Sequence, residues 1–543
     1  HNTLAKKRTS KNTSKITKRS NMKRWQILLG IALIAVVGIV VVFISNAATP
    51  PRSVKDFGAV GDGVADDTVA IQTAIDTVSA SGVAANQAQE LRLPAGTYKI
   101  TRPLLMKSFV QFRGAPGQTI ILQGSTRQGE KSHIILGDAH PWAFNPANDL
   151  PDLKRTFTNM NATYIPNGNK PRPQDKIWPR GANTITLDNP EDAARLKVGE
   201  IVCVRSTVGL PFGDAIQPDF VQFTKIVKIN GNKLEFADRS LNKIEDPQVC
   251  KIEGRDPHIT NVTGQNTDWY AAQWVEVSGI TFRGGDLGID RGLCYSCFIK
   301  QVNFEDLITP MAVNAMVKTI FSDINASYGG RGLEVKMASS KSTFKNINLK
   351  YRPGPCPSPA QGTDCNPPNF NAVWPIDTGE RSENIVFENI KVDDRGSRRN
   401  KAIYSIGDAR DVTLRNSNIT VDGGANREAV LEIRGNYYLG YDYQKYPTEN
   451  FIFKDNSFTM LTPSTQLALL GDKLKRTGPQ FQINNIVFTN NSWRGASTTS
   501  GIAYRALNQV TNWSINGDKF NGTASSIIAE SGSQPPRESG IQY

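Results

Sequence analysis

Four acidic residues sit where a pair of carboxylates could do acid–base chemistry. Asp286 and Asp290 lie in Gly284-Gly-Asp-Leu-Gly-Ile-Asp-Arg291, Glu334 in Gly330-Arg-Gly-Leu-Glu-Val-Lys336, and Asp377 in Val373-Trp-Pro-Ile-Asp. Glu334 and Asp377 each stand 12 residues before the central Asn of a repeated element, Asn346 and Asn389. Aligned on that element they become neighbours on adjacent strands, roughly 5 Å apart at the backbone. Carboxylates that close raise one pKa, which a general acid needs beside a base or nucleophile. A carboxyl separation of roughly 5 Å suits a retaining glycosidase and about 6.5–9.5 Å an inverting one. Asp290 with Asp377 is the expected wider pair. Lys336 is placed to neutralise Glu334 or to take a proton itself. Arg331 and Arg434 are expected to bind substrate, with Trp374, Tyr404 and Tyr438 as sugar-stacking walls; the same 12-residue count puts Tyr404 outward. Outward charges on a strand face are commonly just solvated, so the reading requires at least two of the four acids to act together.

These positions depend on a ladder running from Val277 to Phe520. Copies include Val277-Ser-Gly279-Ile-Thr-Phe282, Phe321-Ser-Asp323-Ile-Asn-Ala326, Phe344-Lys-Asn346-Ile-Asn-Leu349, Phe387-Glu-Asn389-Ile-Lys-Val392 and Phe488-Thr-Asn490-Asn-Ser-Trp493. Nine central residues follow one another at steps of 22, 22, 23, 43, 27, 39, 35 and 27. A period near 22 that only lengthens marks a solenoid whose loops vary while its core does not. The period-2 alternation makes each copy a strand, and strands stacked at this spacing predict an all-β, single-stranded parallel β-helix. The central Asn and Asp residues read as a stacked ladder satisfying turn amides, hence scaffold.

The net charge of +13 resembles a nucleic-acid signal until it is located. Residues 1–24 hold nine of the 63 basic residues and no acid, so the remainder carries 54 against 50, or +4. Nucleic acid is therefore excluded as the expected partner. Residues 27–44 carry no charge across 18 positions, long enough to cross most of a bilayer core, and Lys23-Arg24 before them keeps the N-terminus cytoplasmic. Two outcomes follow. One is a single-pass anchor with an extracellular C-terminal body, which the length favours; the other is a signal peptide cleaved after Ala47 or Ala48 and a secreted protein. Six cysteines agree with export. Cys203 with Cys250 and Cys356 with Cys365 are expected bridges, and Cys294-x-x-Cys297 reads as a structural pair or buried thiols before a redox motif.

The run Phe57-Gly-Ala-Val-Gly-Asp-Gly63, Asp66-Asp-Thr68, Ala70-Ile-Gln72 and Pro94-Ala-Gly-Thr-Tyr98 resembles the N-terminal signature of the pectate-lyase-like superfamily, which includes rhamnogalacturonase/epimerase-like and polygalacturonase-related proteins. That resemblance implies a right-handed parallel β-helix. Asp66 or Asp67 is expected to start a helix, with Ile71, Ala74, Ile75 and Val78 on one face, that caps the open end of the helix and blocks edge pairing. The expected divisions are a basic tail (1–24), the anchor or signal segment (25–47), a cap and first rungs (48–125), an inserted β module with loops (126–270), the β-helix (271–525) and a disordered tail (526–543). His133 and the segment 142–178 are expected in loops. The polygalacturonase active site does not carry over. Asn266-Thr267-Asp268 is present, but the next rung has Gly285-Asp286-Leu287, no Gly-His-Gly occurs, and Glu432-Ile-Arg434 only partly resembles the family's last element. Asp256-Pro257-His258 resembles an alginate-epimerase motif but lies outside the repeats.

The functional expectation is an exported, membrane-tethered glycoside hydrolase acting on an extracellular, pectin-like or other polysaccharide through Asp290, Glu334 and Asp377. The alternatives are a lyase or epimerase on uronic-acid chains, with Ca²⁺ bridging carboxylates and a uronate as its possible cofactor, and a non-catalytic glycan-binding or surface protein. No other cofactor is expected. Oligomeric state, monomer or trimer, is left open.

Overall fold

A computed structural model of the chain describes residues 52–543, apart from 126–130, 138–156, 164–175, 261–265, 353–374, 398–403, 423–427, 435–447, 472–480 and several breaks of one or two residues. The segment 27–44 and everything else up to residue 51 lie outside the described residues. Among the described residues no helix is long and apolar enough to cross a membrane.

Each copy of the repeat is a strand, a corner and a second strand rather than one straight strand. In the first copy Glu276–Ser278 and Thr281–Arg283 flank Gly279. The corner residue is left-handed in all nine copies, and so is the residue five positions before it, from Trp274 with Gly279 to Asn512 with Gly517; φ in these eighteen lies between 52° and 71°. Asn, Asp and Gly tolerate that region best, which is why they recur at the motif's centre. Between corners the side chains alternate. Phe321, Phe344 and Phe387 pair in register and stack inside at centroid distances of 4.9 and 5.3 Å. Outside, Asn389 Nδ2 donates to Asn346 Oδ1 and Asn346 Nδ2 to Asp323 Oδ1, both at 2.8 Å.

Parallel pairing of rung on rung builds two long sheets, one of 25 strands and one of 11, around a single apolar core running from Val54 to Ala524. This is a parallel β-helix. The helix α1, Thr68–Ala85, buries Ile71, Ala74, Ile75 and Val78 and lies against strands Gln89–Leu93, Leu104–Met106 and Val110–Gly114. Of the two candidate starting acids, Asp66 Oδ1 accepts the Thr68 amide at 3.0 Å. Asp67 instead holds the preceding turn through the amides of Val60 (2.5 Å) and Gly61 (3.0 Å).

Three expectations are corrected. Residues 132–136 form a strand of the 11-stranded sheet, and His133 is fully buried rather than in a loop. The apolar run Ile134-Ile-Leu supplies a rung there, so the insert begins after it. Second, the aromatic segment before residue 178 is not all loop: Phe157–Thr163 is a strand and Trp178 is a buried core residue. Third, the tail 526–543 is not disordered. Ser526–Ala529 pairs with Ile502–Ala506, and Arg537–Ser539 with Ser514–Asn516, as one further rung; its polar composition is outweighed by an available strand edge.

The insert is a closed six-stranded barrel of Phe157–Thr163, Thr184–Leu187, Ile201–Ser206, Val221–Asn230, Lys233–Phe236 and Pro247–Ile252. Its hairpin turns at Gly231, and the Cys203–Cys250 disulfide joins two adjacent strands. Cys294 and Cys297 form a second disulfide; Cys356 and Cys365 lie outside the described residues.

Candidate functional site

Six consecutive strands of the 11-stranded sheet carry the candidate residues: β1 (Leu287–Gly292), β2 (Thr309–Asn314), β3 (Leu333–Lys336), β4 (Ile376–Thr378), β5 (Tyr404–Gly407) and β6 (Ala429–Arg434). Their registers fix one column: Asp290, Ala312, Glu334, Asp377, Ser405, Glu432. Flanking residues Met311, Val313, Leu333, Val335, Ile376, Leu431 and Ile433 are core, so strand alternation turns the column to the outer face. Asn314 and Lys336 pair two positions on.

Glu334 and Asp377 are therefore neighbours on adjacent rungs. Lys336 sits between them, its Nζ 2.9 Å from Glu334 Oε1 and 3.1 Å from Asp377 Oδ2. The contact with Asp377 is an ion pair by distance but lacks hydrogen-bond alignment, so Oδ2 is buried without a hydrogen-bond partner. Arg331 closes on Glu334 at 2.5 Å. Two carboxylates in one place thus have different surroundings. Burial pushes both upward. At Glu334 the charges of Lys336 and Arg331 overcome it and hold the carboxyl below the ordinary range. At Asp377 burial wins over Lys336, helped by the negative charge of Glu334, and the carboxyl is raised. One acid is held ionised beside one held toward its protonated form, the division of labour that acid–base catalysis requires.

The other predicted residues fall into place unevenly. Asp290 lies on the column, with Oδ2 accepting from Ser132 Oγ at 2.8 Å, but three rungs from Asp377. Three rungs is roughly 14 Å, too far for the expected wider pair. Asp286 lies just before β1, raised by burial against the opposing charge of Lys131, with Oδ1 lacking a hydrogen-bond partner; three residues of strand separate it from Asp290. Arg434 is engaged by Glu432 through Nε–Oε1 at 2.6 Å and Nη2–Oε2 at 2.9 Å. In the backbone register Tyr404 pairs with Ile376 and Leu431, so Ser405 rather than Tyr404 aligns with Asp377 and Glu432. Its interval to the corner Asn416 is one residue shorter than the intervals behind Glu334 and Asp377, and a one-residue slip exchanges the faces. Trp374 and Tyr438 lie outside the described residues.

The same sheet also carries residues near the pair that spacing alone did not single out. Glu432 is two rungs beyond Asp377, and Asn314 stands beside Lys336 with a buried, unpartnered Oδ1. The inserted barrel flanks this region. Leu293, Ala315 and Ala338, which follow β1, β2 and β3, pack against Ile201, Cys203, Phe223 and Cys250 of the barrel. Asp238, also from the insert, is buried and paired with Lys318 (2.8 Å) and Lys341 (2.9 Å), and accepts from Tyr295 Oη at 2.5 Å. Asn266-Thr-Asp268 and Asp256-Pro-His258 lie in a separate two-stranded hairpin, outside both long sheets.

Over residues 51–172 the chain matches the family described as rhamnogalacturonase A/epimerase, pectate lyase-like. It is 47% identical over 77 residues to mannuronan C5-epimerase AlgE1 of Azotobacter vinelandii, covering 13% of this chain and 5% of that protein. It is 32% identical over 120 residues to the non-secreted LysM effector LysM19 of Penicillium expansum, covering 21% of this chain and 10% of that protein. The matches thus span a tenth or less of these relatives' length. Among solved structures, the tailspike gp61 of Pseudomonas phage phi297 is similar with a TM-score of 0.48 and 12% identity, over 91% of this chain and 80% of that one. The pectate-lyase-like resemblance of the N-terminal signature therefore holds.

Proposed function

We propose that this pectate-lyase-like β-helix protein hydrolyses glycosidic bonds of a polysaccharide, with Asp377 as general acid and Glu334 as the ionised nucleophile. The observation that carries the reading is the pair of carboxylates on adjacent rungs, shifted in opposite directions around one shared ammonium. Because both touch Lys336 Nζ, their contacting oxygens lie within about 6 Å of each other. That range is compatible with the roughly 5 Å separation of retaining enzymes. Asp377 gives its proton to the leaving glycosidic oxygen while the Glu334 carboxylate attacks the anomeric carbon. Asp377, now ionised, then takes a proton from the water that cleaves the glycosyl ester. Lys336 keeps Glu334 ionised and orients both carboxyls.

The same reading places the protein outside the cell, tethered through residues 27–44 or released after cleavage. The test is reducing-end release from a panel of pectic and other glycans by the full chain. Glu334→Gln and Asp377→Asn are each expected to lower it by about a hundredfold or more; full activity in both variants would sink the assignment.

A lyase or epimerase is the second reading. It rests on Lys336, whose ammonium, 2.9 Å from Glu334 and 3.1 Å from Asp377, would neutralise the carboxylate of a uronate at the site. It predicts an unsaturated, ultraviolet-absorbing product, or inversion without cleavage. A Ca²⁺ ion does not fit between Glu334 and Asp377, since Lys336 already occupies that position.

A further inference from the structure

We infer that the seam between the inserted barrel and the rungs holds a second glycan subsite, one that takes a sugar unit bearing an anionic group. The inference rests on the polysaccharide reading above. Trp274 marks the place. It leads into the strands that precede β1, two rungs before the β3 of Glu334, and it is 44% exposed. A lone exposed tryptophan is ordinary on a surface, but this one is left-handed at φ 57°. A bulky residue is a genuine outlier in that region. Four later rungs place Asn at the same position, namely Asn384, Asn450, Asn485 and Asn512. Trp274 is therefore kept against the demands of the turn, and held out to solvent rather than packed. A backbone outlier of this kind points to function.

The second feature is independent of the first: an excess of ammonium groups in the same seam. Lys318 and Lys341 share one carboxylate, Asp238, at 2.8 and 2.9 Å. Lys225, on the barrel strand Val221–Asn230, has no ion-pair partner among the described residues. Burial, and then the like charge of Lys318, hold its ammonium below the ordinary lysine range. Three cations thus share a single acid, and an anion can join Lys225 without displacing any carboxylate of the protein. Trp274 is rooted between the residues that these cations touch. Its amide donates to Tyr295 O at 3.2 Å, and the Tyr295 phenol accepts from Lys318 Nζ at 2.7 Å. Its neighbour Gln273 donates to Gly199 O at 3.3 Å, and Lys225 Cε stands 4.0 Å from the position of a Cβ on Gly199. A sugar ring can lay its C–H face on the exposed indole while its anionic group forms charge-assisted bonds to Lys225. The seam thus selects a carboxylated or sulfated sugar over a neutral one.

The test is equilibrium binding of hexagalacturonate, a sulfated galactan hexasaccharide and neutral galactohexaose to the full chain, at low and high salt, with reducing ends measured in parallel. At least one anionic hexasaccharide is expected to bind about tenfold or more tightly than galactohexaose, with an affinity that falls as salt rises. Which of the two binds tells carboxylate from sulfate recognition. Lys225→Met is expected to weaken that binding about tenfold or more, the loss of a charge-assisted bond. Trp274→Asn is expected to weaken it about tenfold. Its thermal unfolding should be unchanged or raised, because Asn suits the left-handed turn. Equal or tighter binding of galactohexaose, indifference of anionic binding to either variant, a lower unfolding temperature in Trp274→Asn, or no binding of any probe would each overturn the inference. Anionic binding without new reducing ends would leave the subsite standing and sink hydrolysis. Reducing ends released from neutral glycans, with no anionic binding, would do the reverse.

Discussion

The residue just after each corner occupies one position in every rung, yet its chemistry changes halfway along the molecule. In the earlier rungs it is Ile280, Val302, Ile324, Ile347 and Ile390; in the later ones it is Ser417, Asn456, Asn491 and Asp518. All nine are buried. The aliphatic residues contribute by filling the core. The polar ones form a chain of side chain to backbone bonds: Ser417 Oγ accepts the Ile390 amide (3.0 Å), Asn456 Oδ1 the Ser417 amide (3.0 Å), Asn491 Oδ1 the Asn456 amide (3.2 Å) and Asp518 Oδ1 the Asn491 amide (2.7 Å). Stacking identical positions therefore does not require identical chemistry; it requires each rung to satisfy the one before it. The two halves should fail differently.

The largest effect is expected where the polar chain is cut. Asn491→Leu removes the acceptor of the Asn456 amide and a side-chain donor to Asp518 Oδ1 (3.1 Å). Each buried group left unpaired costs about 1–3 kcal/mol, so a loss of about 3–5 kcal/mol in denaturant unfolding is expected. At the equivalent aliphatic position Ile347→Val should cost only about 0.5–1.5 kcal/mol. Equal losses would show that the polar chain is no more demanding than packing.

Next comes acidity, to which only the polar half should respond at this position. Asp518 has no cation among its hydrogen-bonding partners. Burial outweighs the donors Tyr504 (2.6 Å) and Asn491 and pushes its pKa up to about 6. An acid raised in the fold binds its proton more tightly there than in the unfolded chain. Its contribution is full below the unfolded value near 4 and is lost as pH rises through 6. About two pH units correspond to roughly 3 kcal/mol. Stability measured against Asp518→Asn should show the wild type gaining by about that amount from pH 6.5 to pH 4. Subtracting the variant is necessary because Asp377 is raised as well. Parallel curves would place the ionised carboxylate in the native core.

What could be read in advance follows the same division. The ladder was legible because its corners need a left-handed residue, and Asn346, Asn389, Asn416 and Asn490 advertise that need. The second left-handed column was not legible, because its early members are Trp274, Ser296, Lys318 and Lys341, residues that do not signal turns. Lys318 and Lys341 hold that conformation while paired to Asp238 of the insert, so the departure from turn chemistry marks where the insert packs on the rungs. In the site, Glu334 and Asp377 could be aligned because their intervals to the corner agree. Tyr404 was misplaced where that interval shortens by one. Glu432 was hidden because the segment 435–447 separates it from its corner residue Asp455. Asn314 escaped notice because its meaning lies in an unpartnered atom, which spacing cannot reveal.

The smallest effect is expected on the outside of the corners, and it separates conformational from ladder contributions. Asn346 is left-handed at φ 54°, donates to Asp323 and accepts from Asn389. Asn346→Ala loses both bonds and puts a residue with Cβ but no local hydrogen bond into the left-handed region, which costs about 1 kcal/mol by itself. With exposed bonds adding a few tenths each, a loss of about 1–2 kcal/mol is expected. Asn346→Gly loses the same bonds but none of the conformational fit, and should cost less than about 1 kcal/mol. The difference between the two variants measures the backbone, and what remains in the glycine variant measures the ladder. If glycine is as damaging as alanine, stacked amides rather than left-handed geometry select Asn at the corner. The same preference for glycine over alanine is expected to be sharper at the last corner, where Gly517 is native: a Cβ there would stand 2.5 Å from Asn490 Oδ1, so Gly517→Ala should cost more than Asn346→Ala at the same φ sign.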